Sequence, residues 1–344
     1  MAKIPPLKTS GGPHTPPSDS EQETIDIVYT WVDANDSRFK DQLHKFLDPA
    51  APLIHAQAVN PERFRDNGEL RYSLRSMEAF APWVRRIHIV TNGQTPRWLK
   101  TNDKRIRIVS HDMIFTNPAY LPTYNSNAIE LQIHKIPNLS RRFLYLNDDC
   151  FLGRAASRSD FITGSRGTCV YFEPIPLSYS THRGSLVSRS YAYTHRIVEK
   201  LWGRKSLPFL PAHVPQLYDK KILVYLESLL SKEFQQTLSH RFRSPNDLVL
   251  RILYFFYLLE AKEQRENKHK AKLLKWGSDD YTLLMLENDL LKMWRAFFHI
   301  FRMRTKFFCI NDDLGDVGSD NLTLLSLRIF LRAYFPRPSS FEKK

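Results

Sequence analysis

Residues 25–32, Ile25-Asp26-Ile27-Val28-Tyr29-Thr30-Trp31-Val32, form a β-branched and aromatic run that breaks into Asp33-Ala34-Asn35-Asp36. This pattern predicts a buried strand that delivers polar side chains at its carboxyl end. Residues 36–46 have helical character. A second helix is expected after Asp66-Asn67-Gly68, with Leu70, Leu74 and Met77 on one face, Arg71 and Arg75 on another, and Pro82 as its stop. Residues 87–91 and 106–109 read as short strands, ended by Asn92-Gly93 and followed by His111-Asp112 respectively. Residues 127–134 are helical in pattern, and residues 143–146 form a fourth strand running into Asn147-Asp148-Asp149. Strands alternating with helices predict an α/β fold with a Rossmann-like, largely parallel sheet at its core. Ligands of such sheets bind at the carboxyl ends of the strands. The polar clusters of this chain recur at those ends.

The second half has a different pattern. Residues 153–205 are rich in Ser, Arg and Tyr and suggest a hairpin plus a segment facing an acceptor. From residue 211 the chain reads as mainly helical, with apolar spacing near 3.6 over residues 220–230, 247–260 and 284–304. The last of these sets Lys292, Arg295, Arg302 and Arg304 beside Trp294, Phe297, Phe298 and Phe301. Such a helix either packs its apolar face inside the protein or lies on a membrane surface. One catalytic domain is expected over residues 25–335, built from an α/β half (25–154), a variable connector (155–210) and a helical half (211–335). Residues 1–24, rich in Pro, Ser, Thr and Gly, read as a disordered tail without the apolar core of a signal peptide or anchor, and 336–344 as a second tail.

Composition narrows the class. With 42% hydrophobic residues the chain can bury a sizeable core, and 50 Lys and Arg against 36 Asp and Glu give a net charge of +14. That balance points to an anionic partner: a nucleotide diphosphate, an acidic glycan, a membrane surface or nucleic acid. No nucleic-acid motif is present, so a non-catalytic binder of nucleic acid or anionic surfaces is the outlying alternative. Three cysteines, Cys150, Cys169 and Cys309, fit a reducing compartment and no disulfide framework. The longest apolar run, residues 252–259, is too short to span a bilayer. A cytoplasmic protein, with peripheral association at the inner membrane face left open, is the expectation.

Several residues have chemical potential. Asn147-Asp148-Asp149 after a buried strand suits a divalent cation against a diphosphate, although Asp also caps turns. Asn311-Asp312-Asp313 follows the apolar run of residues 307–310 and repeats the motif. Arg71, Arg75, Arg241 and Arg243 stand beside polar motifs, where guanidinium groups either grip phosphate or remain as surface charges. His213, fixed between Pro211 and Pro215, has the presentation of a general acid or base, or of a brace for that segment.

Together these segments resemble the Stealth family of sugar-1-phosphate transferases, which includes bacterial capsule polymerases and the GlcNAc-1-phosphotransferase of lysosomal-enzyme tagging. The resemblance rests on IDIVYTWVDAND (25–36); RDNGELRYSLRS, PWVRRIHIVTNGQTPRWL, LPTYNSNAIE and FLYLNDDCFLG (65–153); PAHVPQLYDK (211–220) with SHRFRSPNDL (239–248); and FFCINDD (307–313). No long insert separates the first two regions, so the compact bacterial-type member is the nearer comparison. The resemblance implies a UDP-sugar donor, with UDP-GlcNAc or a similar hexosamine as its type, and attack by a glycan hydroxyl that releases UMP and leaves a phosphodiester. It implies Mg²⁺ or Mn²⁺ held by Asp149 and Asp312, and His213, Asp149, Arg243 and Asp26 as catalytic residues, with His213 or Asp149 as the base. Donor contacts fall to Trp31, Asn67, Arg71, Arg75, Arg241 and Asn311, and sugar contacts to Asn125, Ser126 and Asn127. A conventional glycosyltransferase releasing UDP is the alternative reading.

Overall fold

The computed structural model describes residues 23–47, 56–176, 184–203 and 209–343. The expected disordered tail therefore lies, except for residues 23 and 24, outside the described residues, as do 177–183 and 204–208 of the connector and residue 344 of the second tail. The first half runs β1 (Ile25–Thr30), α1 (Ser37–Phe46), α2 (Glu69–Phe80), β2 (Ile87–Thr91), β3 (Ile106–Ser110), α3 (Ser126–Glu130) and β4 (Arg142–Asn147). The middle holds β5 (Cys150–Leu152), β6 (Ile162–Thr163), β7 (Gly167–Pro176), α4 (Leu186–Trp202), β8 (Phe209–Pro211) and β9 (Gln216–Asp219). The remainder is α5 (Lys220–Leu229), α6 (Ser231–Ser239), α7 (Leu250–Glu260), β10 (Lys270–Leu273), β11 (Tyr281–Met285), α8 (Leu290–Met303), β12 (Phe307–Asn311) and α9 (Leu322–Tyr334).

The central sheet has the order β3-β2-β1-β4-β9, with β3, β2, β1 and β4 parallel and β9 antiparallel at the edge. β1 is central because Ile25, Ile27, Val28 and Tyr29 offer apolar surface to both faces, as a strand covered on both sides requires. This is the expected Rossmann-like α/β arrangement. Local signals place the helices: Asp36 caps α1, accepting from Phe39 N at 2.9 Å, and Gly68 enters α2 with a φ of +90° that a side chain would disfavour. α7 is apolar all round and lies in the core, which accounts for the run at 252–259. No helix among the described residues is long and apolar enough to cross a membrane.

Two departures matter for the site. The helix expected over 284–304 begins only at Leu290, capped by Asp289; the residues before it form β11, parallel to β12. A five-residue apolar run satisfies either periodicity, and pairing with β12 decides it. β12 also pairs antiparallel with β5 of the α/β half, so the half read as mainly helical supplies two strands of a small β11-β12-β5 sheet. Residues after 335 pack as well: Phe341 is buried and its carbonyl accepts from Lys100 N at 2.7 Å.

Candidate active site

A cleft of about 610 Å³ opens at the carboxyl ends of β1 and β4, between the central sheet and the β11-β12-β5 sheet. The β5–β12 pairing sets Cys150 opposite Cys309 and so brings the two Asn-Asp-Asp triplets together. Ile310 N donates to the Asp149 carbonyl at 3.0 Å, and Asn311 Nδ2 reaches Asp149 Oδ2 at 3.3 Å. One wall is acidic: Asp148, Asp149, Glu69, Asp312 and Asp313 all line it. Burial, and then the neighbouring Asp149, Glu69 and Asp66, push the Asp148 carboxyl far above the usual carboxylate range. Burial and Asp66 take Glu69 up to about 8. Burial also raises Asp149, partly offset by the His213 ring nearby.

Buried carboxylates, with Asp148 also raised by the charges beside it, are the electrostatic condition that a cation relieves, and their oxygens fit a hard divalent ion. Asp149, Cys150 and Cys309 also converge closely enough to hold a metal. The thiol of Cys309 is pushed well up by its bond with Cys150 and by burial, which keeps it protonated, and Mg²⁺ or Mn²⁺ prefers oxygen to sulfur. The donor set that fits such an ion is therefore Asp148 and Asp149. Asp312 lines the cleft, but Oδ2 accepts from Arg65 at 2.8 Å and Asn67 Nδ2 at 3.1 Å, while Oδ1 accepts from Leu314 N at 3.1 Å. Both its oxygens are thus engaged.

A second wall carries arginines together with Glu62 and Glu130. Arg243 donates from Nη2 to Ser126 Oγ at 2.6 Å, and Arg63 and Arg251 also line the cleft. Burial and the like charge of Arg243 bring Arg63 down to about 10, although Glu62 and Asp313 nearby oppose the shift. Buried Asp247 fixes this wall. Its carboxylate accepts from Asn125 Nδ2 at 2.8 Å, Asn127 Nδ2 at 3.2 Å, His240 Nδ1 at 2.7 Å and Ser244 N at 2.8 Å, so it ties α3 to the loop carrying Arg243.

His213 lines the cleft between β8 and β9. Its Nδ1 lies 3.1 Å from Glu173 Oε1, and Tyr281 donates to Glu173 Oε2 at 2.7 Å. Burial opposes ionisation of Glu173, but the His213 bond prevails and holds the carboxyl below its ordinary value. A carboxylate only accepts, so Nδ1 carries the proton and Nε2 is left basic. Glu173 lay inside the hydrophobic-looking GTCVYFEPIP strand; the single signal was a charged residue in an otherwise buried run.

Of the sequence candidates, the structure gathers Trp31, Ser126, Asn127, Asp149, His213, Arg243, Asn311 and Asp312 around one cleft. Others are corrected. Asp26 sits at the amino end of β1, fully buried, bonded to Arg85 at 2.6 and 2.8 Å, to His88 at 3.3 Å and to Ser140 N at 2.8 Å. Although burial opposes it, these bonds hold its carboxyl far below the usual range, and it cements the sheet at the end remote from the cleft. Arg71 and Arg75 pair with Glu342 in the C-terminal segment, Arg75 through two bonds of 2.7 and 2.8 Å. α2 turns those side chains away because its Leu70–Leu74–Met77 face takes the sheet. Arg241 lies over the Phe46 ring, 4.1 Å from its centroid, and donates to the Pro122 carbonyl. Asn125 caps α3 and is wholly buried on Asp247, and Asn67 stands behind Asp312; neither lines the cleft.

This is an α/β protein of Rossmann-like topology whose parallel strands end in a cleft lined by carboxylates and guanidinium groups. Models of the four Stealth conserved regions match in order: region 1 over residues 23–48, region 2 over 63–170, region 3 over 212–260 and region 4 over 298–344, together more than half of the chain. The chain belongs to the Stealth family. It is similar to an exopolysaccharide phosphotransferase of Streptomyces coelicolor, 34% identical over 93% of this chain and 52% of that protein. It is also similar to the exopolysaccharide phosphotransferase CpsY of Mycobacterium leprae, at 33% identity over 97% and 60% of the two chains. The chain spans about half the length of the first of these curated relatives. The solved galactosyltransferase LgtC, with donor and acceptor sugar analogues, aligns over 92% of this chain and 97% of its own at 11% identity and a TM-score of 0.44.

Proposed function

We propose that the protein transfers a sugar-1-phosphate, of the hexosamine type, from a UDP-sugar to a hydroxyl of a glycan, in the synthesis of a capsular or exopolysaccharide. The observation that carries this reading is the make-up of the cleft, in which an oriented histidine meets carboxylates suited to a cation and the guanidinium groups of Arg243 and Arg63. Phosphoryl transfer asks for positioning and charge stabilisation, and these groups supply both. His213 Nε2, freed by the Glu173 bond, takes the acceptor proton, with Asp149 as the rival base. The acceptor oxygen bonds to the sugar-bearing phosphorus, the bond from that phosphorus to the bridging oxygen breaks, and the electron pair leaves on UMP. Arg243 and Arg63 face the diphosphate charge, and Trp31 and Asn127 shape the donor site. Asp148 and Asp149 would hold Mg²⁺ or Mn²⁺, which when bound neutralises diphosphate oxygens. The relatives' names, which specify phosphotransferases of polysaccharides, support the class of reaction. The test is incubation with a panel of UDP-sugars and oligosaccharide acceptors, followed by chromatography of the nucleotide product. UMP that depends on acceptor supports the reading; UDP assigns the cleft to conventional glycosyl transfer.

A further inference from the structure

We propose that the outward side of the α8–α9 pair seats on an anionic lipid bilayer. α8 carries three stripes. Met293, Phe297 and Ile300 are buried, whereas Leu291, Trp294, Phe298 and Phe301, spaced i, i+3, i+7 and i+10, remain in solvent. Leu291 is 63% and Phe298 65% exposed, too much for side chains that merely edge a core. Arg295 and Arg302 flank that stripe. α9 repeats the arrangement with Leu322, Leu325 and Ile329 at i, i+3 and i+7, the first 61% and the last 57% exposed, beside Arg328 and Arg332. Phe297 stacks on Phe330 at 4.7 Å and Phe301 meets Tyr334 edge-on at 5.5 Å, so the two helices pack against each other and Phe301 of the α8 stripe reaches α9. Single exposed apolar residues need no explanation, but two stripes in helical register on paired helices make a patch.

Charge identifies the occupant. Neither α8 nor α9 contains an Asp or Glu; before them, Glu287 is paired with Lys292, and exposed Asp289 and Asp320 stand at the two helix starts. Aromatic and aliphatic side chains edged by arginines complement acyl chains beneath anionic headgroups. A second copy of the same surface would bring like charges together. No helix among the described residues is long and apolar enough to span a bilayer, and the contact proposed is surface seating. α8 and α9 start just beyond the carboxyl ends of β11 and β12, where Met285 and Asp312 line the cleft, and Asn321 Nδ2 ties the two starts together by donating to Asn288 Oδ1 at 2.9 Å. Seating on this side holds the cleft mouth near the bilayer.

Vesicle flotation tests the proposal, using phosphatidylcholine alone and phosphatidylcholine with about one-third phosphatidylglycerol. The chain should float with the anionic vesicles and bind neutral ones roughly tenfold or more weakly, with binding falling as salt rises. Leu291→Asp with Phe298→Asp should lose roughly tenfold or more of that binding. Arg295→Glu with Arg302→Glu, which leaves every apolar contact in place, should do the same with an unchanged thermal transition. Absence of flotation with anionic vesicles, or wild-type binding by the folded charge variant, overturns the proposal. A concentration-dependent dimer in sedimentation that disappears in the Phe298→Asp variant would also overturn it, assigning the patch to a second copy of the chain.

Discussion

Replacing Glu173 with Gln preserves the side chain's size and removes one charge from the buried group behind His213. In the native arrangement the carboxylate accepts from His213 Nδ1 at 3.1 Å and from Tyr281 at 2.7 Å. Losing a bond to a charged group removes about 1.5–3 kcal/mol from the imidazolium that forms when His213 takes a proton. About 2 kcal/mol corresponds to roughly thirtyfold in rate. The amide can also turn its NH₂ toward Nδ1, which moves the ring proton to Nε2 and disables the base. A total loss of roughly 10²–10⁴-fold in turnover is therefore expected, the range of general acid–base groups. Tyr281 can still donate to the amide oxygen, so the fold should survive. The assay is the rate of acceptor-dependent nucleotide release, with donor affinity measured separately by calorimetry. Turnover should fall while donor affinity stays within about twofold. Glu173→Asp, which keeps the charge but shortens the reach, should recover part of the rate, an outcome that a packing role would not produce. A rate within about threefold of wild type in folded Glu173→Gln, or a loss explained by weaker donor binding, would refute the coupling of Glu173 to His213.

Three further outcomes follow from the same geometry. Asp149→Asn and excess chelator should each abolish transfer in a folded protein; full turnover in chelator contradicts the cation assignment. Arg243→Lys should weaken donor binding and lose most activity, because lysine keeps the charge without the two-pronged donor geometry; unchanged donor affinity by calorimetry contradicts it. Glu342→Ala should destabilise the fold by about 3–5 kcal/mol in denaturant titration, because buried Arg75 loses its partner; a shift under about 1 kcal/mol contradicts it. Burial opposes ionisation of Glu342, but its bonds from Arg75, Ser339 N and Arg71 hold it at about 2 against an ordinary 4.5. Its contribution should thus be complete above about pH 4.5 and disappear as the pH falls toward 2, so the Glu342→Ala variant should lose less stability across that window than the native chain, the remainder coming from carboxylates such as Glu227.

The first four strands and the acidic triplets were legible in the sequence because parallel central strands are apolar on both faces and their ends must be polar. What remained hidden was tertiary. Arg71 and Arg75 looked like phosphate ligands beside a polar motif; their partner, Glu342, lies more than 260 residues away in the chain. Asp26 shares a motif with the cleft but lies at the amino end of its strand, and residues early and late in a strand sit at opposite edges of the sheet. Glu173 gave almost no signal, because a buried charge is recognisable only once the histidine and tyrosine that satisfy it are known. β11 was masked by an apolar run long enough for either element, and β5–β12 pairing, which assembles the acidic wall, has no local signature at all.

The central claim concerns which bond of the donor breaks. A UDP-sugar carrying a radiolabelled β-phosphorus, incubated with the protein and an oligosaccharide acceptor, reports this directly. Transfer of sugar-1-phosphate predicts that the label moves to the glycan product and that the released nucleotide is unlabelled UMP. Label retained in released UDP, with an unlabelled sugar on the acceptor, would contradict the account.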